Sequence, residues 1–142
     1  MNIRRILIAV DDEPLAAHAA ELGIELASSL GAEIAFVHVI EPGLVQATGI
    51  TPGELLADTE REAKTLMDGF CQLVPQTHQP LKFVNVGNPA SEIVRTAKEW
   101  PADMIVIGSH GRHGIQRALL GSVAEAVMRH APCPVLVTRA RG

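Results

Sequence analysis

DMIVIGSHGRHG, residues 103–114, is the stretch that decides the fold, because it joins an apolar run to a glycine-rich turn. The run at 103–107 is short and rich in β-branched residues, as in a buried strand. A helical pattern follows at 122–130. Glycines let backbone N–H groups approach an anion, and a helix N-terminus adds about half a positive charge. The junction therefore predicts a phosphate site, and a nucleotide is the first hypothesis.

Four further apolar runs of strand length occur along the chain, at 6–10, 34–40, 81–86 and 135–138. Helical patterns alternate with them, over 14–30, 53–74, 89–100 and 122–130. Strands that alternate with helices in this way form a parallel sheet through right-handed crossovers, usually in the order 3-2-1-4-5. We therefore expect a single α/β domain over residues 1–142, with a doubly wound, Rossmann-like five-stranded sheet and helices on both faces.

The first helix is predicted from its two ends and from one apolar stripe. Carboxylates at 11–13 are expected to cap it, Pro14 to begin it and Gly31 to end it. Its predicted core-facing stripe consists of Leu15, Ala19, Leu22, Leu26 and Leu30. The third strand alternates as a partly exposed strand does and is expected near an edge of the sheet. The long loop at 41–52 is expected to be functional.

The predicted strand order reverses between the first and fourth strands. Ligands of such sheets bind at the carboxyl ends of the strands that flank the reversal. Those ends are residues 10–11 and 107–108, so the acidic turn and the glycine-rich turn are expected to meet at one crevice.

Composition limits the classes of partner and compartment. A net charge of −4 argues against a surface that binds nucleic acid. No signal-peptide pattern begins the sequence and no uncharged run is long enough for a membrane span, so we expect a cytoplasmic protein without membrane contact. Cys71 and Cys133 lack metal-type spacing and are interpreted as small hydrophobic residues.

General nucleotide and hydrolase motifs are missing. The sequence has no Gly-Lys pair, which excludes a Walker-type NTPase, and its turn at 108–114 lacks the Gly-x-Gly step of dinucleotide sites. It also has no Gly-x-Ser-x-Gly elbow. A more specific pattern remains, Gly108-x2-Gly111-x9-Gly121-Ser122. It resembles the ATP-binding signature of the universal stress protein family, and residues 6–11 and 132–137 resemble that family's opening and closing strands.

The resemblance implies roles for particular residues. Gly111, Gly121 and Ser122 would surround the phosphates, Gly108 would lie near the ribose, and Asp11 would be a polar partner of the nucleoside. The adenine pocket would be formed by Ala9, Val10, Val39 and Ile107. Val123 completes the expected cofactor-binding set. Arg112, inside the turn, is a candidate partner for a phosphate, and Ser122 can alternatively be a helix cap.

Asp12 and Glu13 depart from the Gly-Ser often found there in the family. Three successive carboxylates would repel a triphosphate. Either Mg²⁺ is held by the phosphates and one of these acids, or Asp12 and Glu13 point outward and serve the helix N-terminus. His110 and His113 lack further donors for a metal site, and His38 is expected to be a core histidine with a hydrogen-bond partner. None of the residues is assigned a catalytic role.

Three functions are compatible with these observations. The favoured one is a stress-response or signalling module that binds ATP, ADP or AMP and whose loops are ordered by the nucleotide. A slow Mg²⁺-dependent ATP hydrolase is an alternative, but an ordinary solvated carboxylate is a weak base at neutral pH. A nucleotide-free interaction protein is disfavoured by the intact Gly111 and Gly121. The apolar last strand, with Val135, Leu136, Val137 and Thr138, is expected to pair with its copy in a homodimer.

Overall fold

Strands and helices alternate along the chain in the computed structural model, which describes residues 2–42, 52–109 and 120–139. The elements are β1 (Arg5–Ala9), α1 (Pro14–Leu30), β2 (Glu33–Ile40), α2 (Pro52–Gln72), β3 (Leu81–Val86), α3 (Pro89–Glu99), β4 (Met104–Gly108), α4 (Ser122–His130) and β5 (Val135–Thr138). All nine elements lie within about two residues of the predicted ranges.

The five strands form one parallel sheet in the order β3-β2-β1-β4-β5. The predicted α/β class and strand order are therefore confirmed, and β3 and β5 are the two edges. The strand order reverses between β1 and β4, and the carboxyl ends of these two strands lie side by side, with Ile8 paired with Val106. The crevice that the sequence predicts lies beyond this point.

Both faces of the sheet are buried, which explains the unbroken apolar run of β1. Ile6 and Ile8 pack on the face that α1 and α2 cover, whereas Leu7 and Ala9 pack on the face of α3 and α4. Cys71 joins the first cluster and Cys133 the second. The two cysteines are therefore on opposite faces, and each has a free thiol.

The buried face of α1 differs from the predicted stripe. Its members are mostly small: Ala16, Ala19, Ala20, Gly23, Ile24 and Ala27. Of the predicted residues only Ala19 is fully buried, and Leu30 is 49% exposed. The reason is that α1 lies very close to the sheet. A Cβ on Gly23 would lie only 2.5 Å from Ile8 Cδ1. Small side chains form the contact, and the leucines flank it.

Helix termini correct two further expectations. Glu13 is the N-cap of α1 but its side chain makes no capping bond, so the expected cap does not come from Glu13; the Asp11 carboxylate accepts from Glu13 N–H at 2.9 Å. The N-cap of α4 is Gly121, which makes Ser122 the first helical residue and not a cap. Gly31 ends α1 with φ 67°, as predicted.

None of the helices in the described ranges combines the length and apolar character that a membrane span requires.

Candidate functional site

A cavity of about 330 Å³ opens at the carboxyl ends of the strands, where the order reverses. Its walls include seven of the predicted site residues: Ala9, Val10, Asp11, Val39, Ile107, Gly108 and Val123. The topology thus brings together positions from three strands and from α4. Their contact with a nucleotide stays a prediction.

The two sides of the cavity differ in chemistry. On the side of α3 and α4, Pro89, Ile93 and Val123 add apolar surface to that of Val39 and Ile107. On the side of α2 the walls include the polar residues Thr59 and Glu62, and Glu41 follows β2 at the rim. A flat apolar group therefore fits between the strand ends and α3, with polar groups across from it.

Two hydrogen bonds fix the direction of the main chain at the end of β2. Val10 N–H donates to Val37 O at 2.9 Å, and Gly87 N–H donates to Ile40 O at 2.9 Å. Odd-numbered residues of β2 therefore direct their N–H and C=O toward β1, and even-numbered residues direct theirs toward β3. Val39 is the next odd residue, and β1 ends at Ala9. The main-chain N–H and C=O of Val39 therefore face the crevice.

The side chain of His38 forms a hydrogen bond with the main-chain carbonyl of Val10, the residue that follows β1. Its Nδ1 lies 3.0 Å from Val10 O. Because a carbonyl oxygen can only accept, Nδ1 carries the proton. His38 thus has the partner expected of it, but it is half-buried and lines the cavity instead of lying in the core.

Asp11 is half-buried beside the cavity, and this burial raises the pKa of its carboxyl group above the ordinary value. The Glu13 N–H bond lowers this pKa, the charges of Asp12 and Glu13 raise it, and His38 lowers it. The expectation of only ordinary solvated carboxylates at this turn is therefore wrong for Asp11. Asp12 is exposed, and neither it nor Glu13 lines the cavity.

The N-terminus of α4 supplies donors from positions other than Gly121. Gly121 N–H donates to Ser109 O at 2.5 Å, and Ser109 N–H donates to Thr138 O at 2.7 Å. The first intrahelical bond runs from Glu125 N–H to Gly121 O. The amides of residues 122–124 precede it and have no carbonyl within the helix. Two of these residues, Val123 and Ala124, line the cavity, whereas Gly121 and Ser122 do not.

Several predicted positions lie outside the described residues: Gly111, Arg112, His110, His113 and most of the loop at 41–52. Conversely, sequence reasoning did not assign Ala16, Val37, His38, Ile40, Glu41, Thr59, Glu62, Pro89, Ile93 and Ala124 to the site. Thr59 offered a signal, because it is a polar residue within the apolar stripe of the second helix. The others required the tertiary arrangement.

Metal binding by protein side chains alone finds no support in the described ranges, where no three His, Cys, Asp or Glu residues form a group that could hold an ion.

Comparison with known proteins gives one family. The model of the universal stress protein family matches residues 2–139. Universal stress protein A homolog 2 of Coxiella burnetii is 35% identical, with 99% of this chain and 98% of that protein covered. The solved structure of hypothetical protein MJ0577 has a TM-score of 0.89 at 27% identity and covers 100% of this chain and 99% of its own.

A second solved structure was determined with a ligand. The universal stress protein of Archaeoglobus fulgidus in complex with dAMP has a TM-score of 0.65 at 24% identity, and 96% of this chain and 98% of that chain are covered. At this identity the likeness concerns the fold alone.

Proposed function

Because the chain belongs to the universal stress protein family, we propose that it binds an adenine nucleotide in the cavity between β1, β2 and β4. The observation that carries the proposal is the main chain of Val39, whose N–H and C=O face an apolar slot beyond the end of β1. A purine ring in that slot would bury both faces against apolar side chains and present its polar edge to Val39.

The order of donor and acceptor favours adenine. Adenine presents a ring nitrogen that accepts beside an amino group that donates, which complements an N–H and a C=O on one residue. Guanine presents a ring N–H and a carbonyl on the same edge, so in the orientation proposed for adenine its N–H would face Val39 N–H and its carbonyl would face Val39 C=O. Buried polar groups left unpaired cost about 1–3 kcal/mol each, enough for discrimination of tenfold or more.

The phosphates would extend toward α4. The amides of Val123 and Ala124 adjoin the cavity, and a helix N-terminus attracts anions. Asp11 would accept from a ribose hydroxyl. The cavity of about 330 Å³ is at the small end of the usual range of about 300–1,000 Å³. The fold admits such a ligand, since the Archaeoglobus fulgidus protein was solved with dAMP.

ATP, ADP and AMP are the nucleotides proposed, with Mg²⁺ held through the phosphates where two or more are present. In this proposal the protein acts in the cytoplasm as a stress-response or signalling module. Ordering of the loops by the nucleotide is part of the hypothesis, but those loops lie outside the described residues.

Titration calorimetry with AMP, ADP, ATP and GMP tests the site. Val123 is half-buried in the cavity wall, so Val123→Trp should fill the slot and raise the Kd for the adenine nucleotides by at least about tenfold, the loss of roughly 1.4 kcal/mol. Met128→Trp is the matched control, because Met128 is 51% exposed on the same helix. Nucleotide should also raise the Tm of the wild type and of the control variant.

Two outcomes would reject adenine-nucleotide binding in this cavity. One is the absence of heat and of a Tm shift with all three adenine nucleotides at millimolar concentration. The other is equal affinity in the Val123→Trp and Met128→Trp variants, with circular dichroism showing that both are folded.

Slow hydrolysis of ATP is the alternative function, in which Asp11, the half-buried carboxylate of the cavity wall, would act as the base instead of binding the ribose. Phosphate release in the presence of Mg²⁺, measured with the wild type and with Asp11→Asn, distinguishes hydrolysis from simple binding. Turnover that the substitution abolishes would support hydrolysis, and release at the background rate in both proteins would exclude it.

A further inference from the structure

We propose that His38 is a positioning residue that keeps the main chain of Val39 available to the ligand, by occupying the carbonyl that Val39 would otherwise bond. This inference rests on the proposed function for its ligand, but the hydrogen bond that carries it is present in the protein itself.

The ladder of parallel strands shows what His38 replaces. Between two parallel strands the hydrogen bonds alternate in direction. After a residue of one strand has accepted a bond from the other strand, the residue two positions further along donates a bond to that other strand. Val10 N–H donates to Val37 O, so the next bond in sequence would be Val39 N–H to Val10 O. The structure instead places His38 Nδ1 at 3.0 Å from Val10 O.

A second side-chain bond diverts the chain after Val10. Asp11 Oδ1 accepts from Glu13 N–H at 2.9 Å and forms a turn directly before α1 begins at Pro14. β1 therefore leaves the sheet at the point where the next ladder bond would form. Together, His38 and Asp11 end the pairing of β1 and β2 at Val10, and this leaves Val39 as the first residue whose main chain faces the crevice.

The chemistry of the His38 side chain is specific enough to test. Nδ1 is three bonds from Cα, and the amide nitrogen of asparagine is at the same distance along its side chain, so His38→Asn can still donate to Val10 O. Leucine has a methyl group there, so His38→Leu cannot donate. Because His38 is half-buried, both substitutions remove part of the ring and share that loss of packing.

Amide hydrogen exchange tests whether His38 keeps Val39 N–H out of the ladder, and titration with AMP tests whether this matters for the ligand. Amide hydrogen exchange at Val39 in the free proteins reports whether its N–H has joined the ladder; it should be at least about tenfold slower in His38→Leu than in the wild type and His38→Asn. Titration with AMP should show a Kd raised about five- to tenfold in His38→Leu, the effect of one net hydrogen bond, and little changed in His38→Asn.

A structural role alone would weaken AMP binding equally in both variants and leave Val39 exchange unchanged in the free protein, and either result overturns the inference. AMP and its 1-deaza analogue, which lacks the ring nitrogen that would accept from Val39 N–H, should also bind His38→Leu with more similar affinities than they bind the wild type. If the wild type binds no adenine nucleotide, the proposed function fails, whereas Val39 exchange in the free proteins still decides the role of His38.

Discussion

Asp11 combines two roles that oppose each other energetically. Its carboxylate accepts from Glu13 N–H and so shapes the turn between β1 and α1, yet burial makes the charged form unfavourable. The charges of Asp12 and Glu13 add to that cost. A carboxylate that is buried at such a cost beside a cavity is a candidate for contact with a ligand.

Replacing the charge at this position should stabilise the protein. Asp11→Asn keeps an oxygen that can accept from Glu13 N–H and removes the buried charge, so we expect a higher Tm than that of the wild type at pH 7. The folded protein binds the Asp11 proton more readily than the unfolded chain, so this group lowers the free energy of unfolding as pH rises through its raised pKa.

The difference in Tm between Asp11→Asn and the wild type should therefore shrink as pH falls toward the ordinary aspartate pKa of about 3.9. Scanning calorimetry between pH 7 and pH 3.5 measures this difference. A variant that is less stable than the wild type at pH 7 would show that the charge itself stabilises the turn.

His38 shows the limit of prediction for a single residue. Its sequence context, within a strand, indicated a buried histidine with a partner, and the partner exists. The identity of that partner, Val10 O, was not accessible, because it lies 28 residues away and becomes a neighbour only through the pairing of β1 and β2. Asp11, in contrast, could be assigned to the site from its place after the first strand.

At the scale of elements, the beginnings of α1 and α3 share proline but differ in their caps. Asn88 accepts from Ser91 N–H at 3.0 Å at the start of α3, whereas Glu13 makes no side-chain cap at the start of α1. Proline at the first helical position explains why both starts were predictable. The capping bond depends on the side-chain geometry of each N-cap residue.

This contrast gives a matched pair of substitutions. Asn88→Ala should lower the free energy of unfolding by about 1 kcal/mol, within the usual range of about 0.5–2 kcal/mol for the loss of a cap. Glu13→Ala should change it by less than about 0.5 kcal/mol. Urea denaturation measures both. Equal losses in the two variants would show that the Asn88 bond contributes no specific stability.

At the scale of the whole molecule, the sheet has two edge strands, β3 and β5. Ile105 N–H donates to Pro134 O and Ser109 N–H donates to Thr138 O. Even-numbered residues of β5 therefore face β4, and the N–H groups of Val135 and Val137 point outward. An outward row of donors on apolar residues favours pairing with another strand. We propose a homodimer through Val135, Leu136, Val137 and Thr138.

Val137→Pro should convert the proposed dimer to a monomer, because proline removes one outward N–H and no bond to β4. Val84→Pro is the matched control at the opposite edge. Val84 is an even-numbered residue of β3, and Gly87 N–H shows that odd residues face β2. Light scattering after size exclusion gives the mass of each protein. A wild type that is monomeric, or a Val84→Pro variant that dissociates equally, would contradict pairing through β5.

The sequence by itself determined the class of fold, the strand order and the place of the crevice, because apolar periodicity and the rules for parallel crossovers act on local patterns. The resemblance to the universal stress protein family added residues such as Ile107 and Val123 to the expected site. The sequence failed on the buried face of α1, where the close approach to Ile8 favours small residues over leucines. That contact is not encoded in helical spacing.

Only the tertiary structure decided which groups remain available at the crevice. Gly121 N–H is bonded to Ser109 O, Val10 O is bonded to His38, and the main chain of Val39 faces outward from the end of β1. These assignments follow from pairing between segments that are distant in sequence. A hydrogen bond uses a donor or acceptor only when the partner strand arrives at the right register, and register is a property of the assembled sheet.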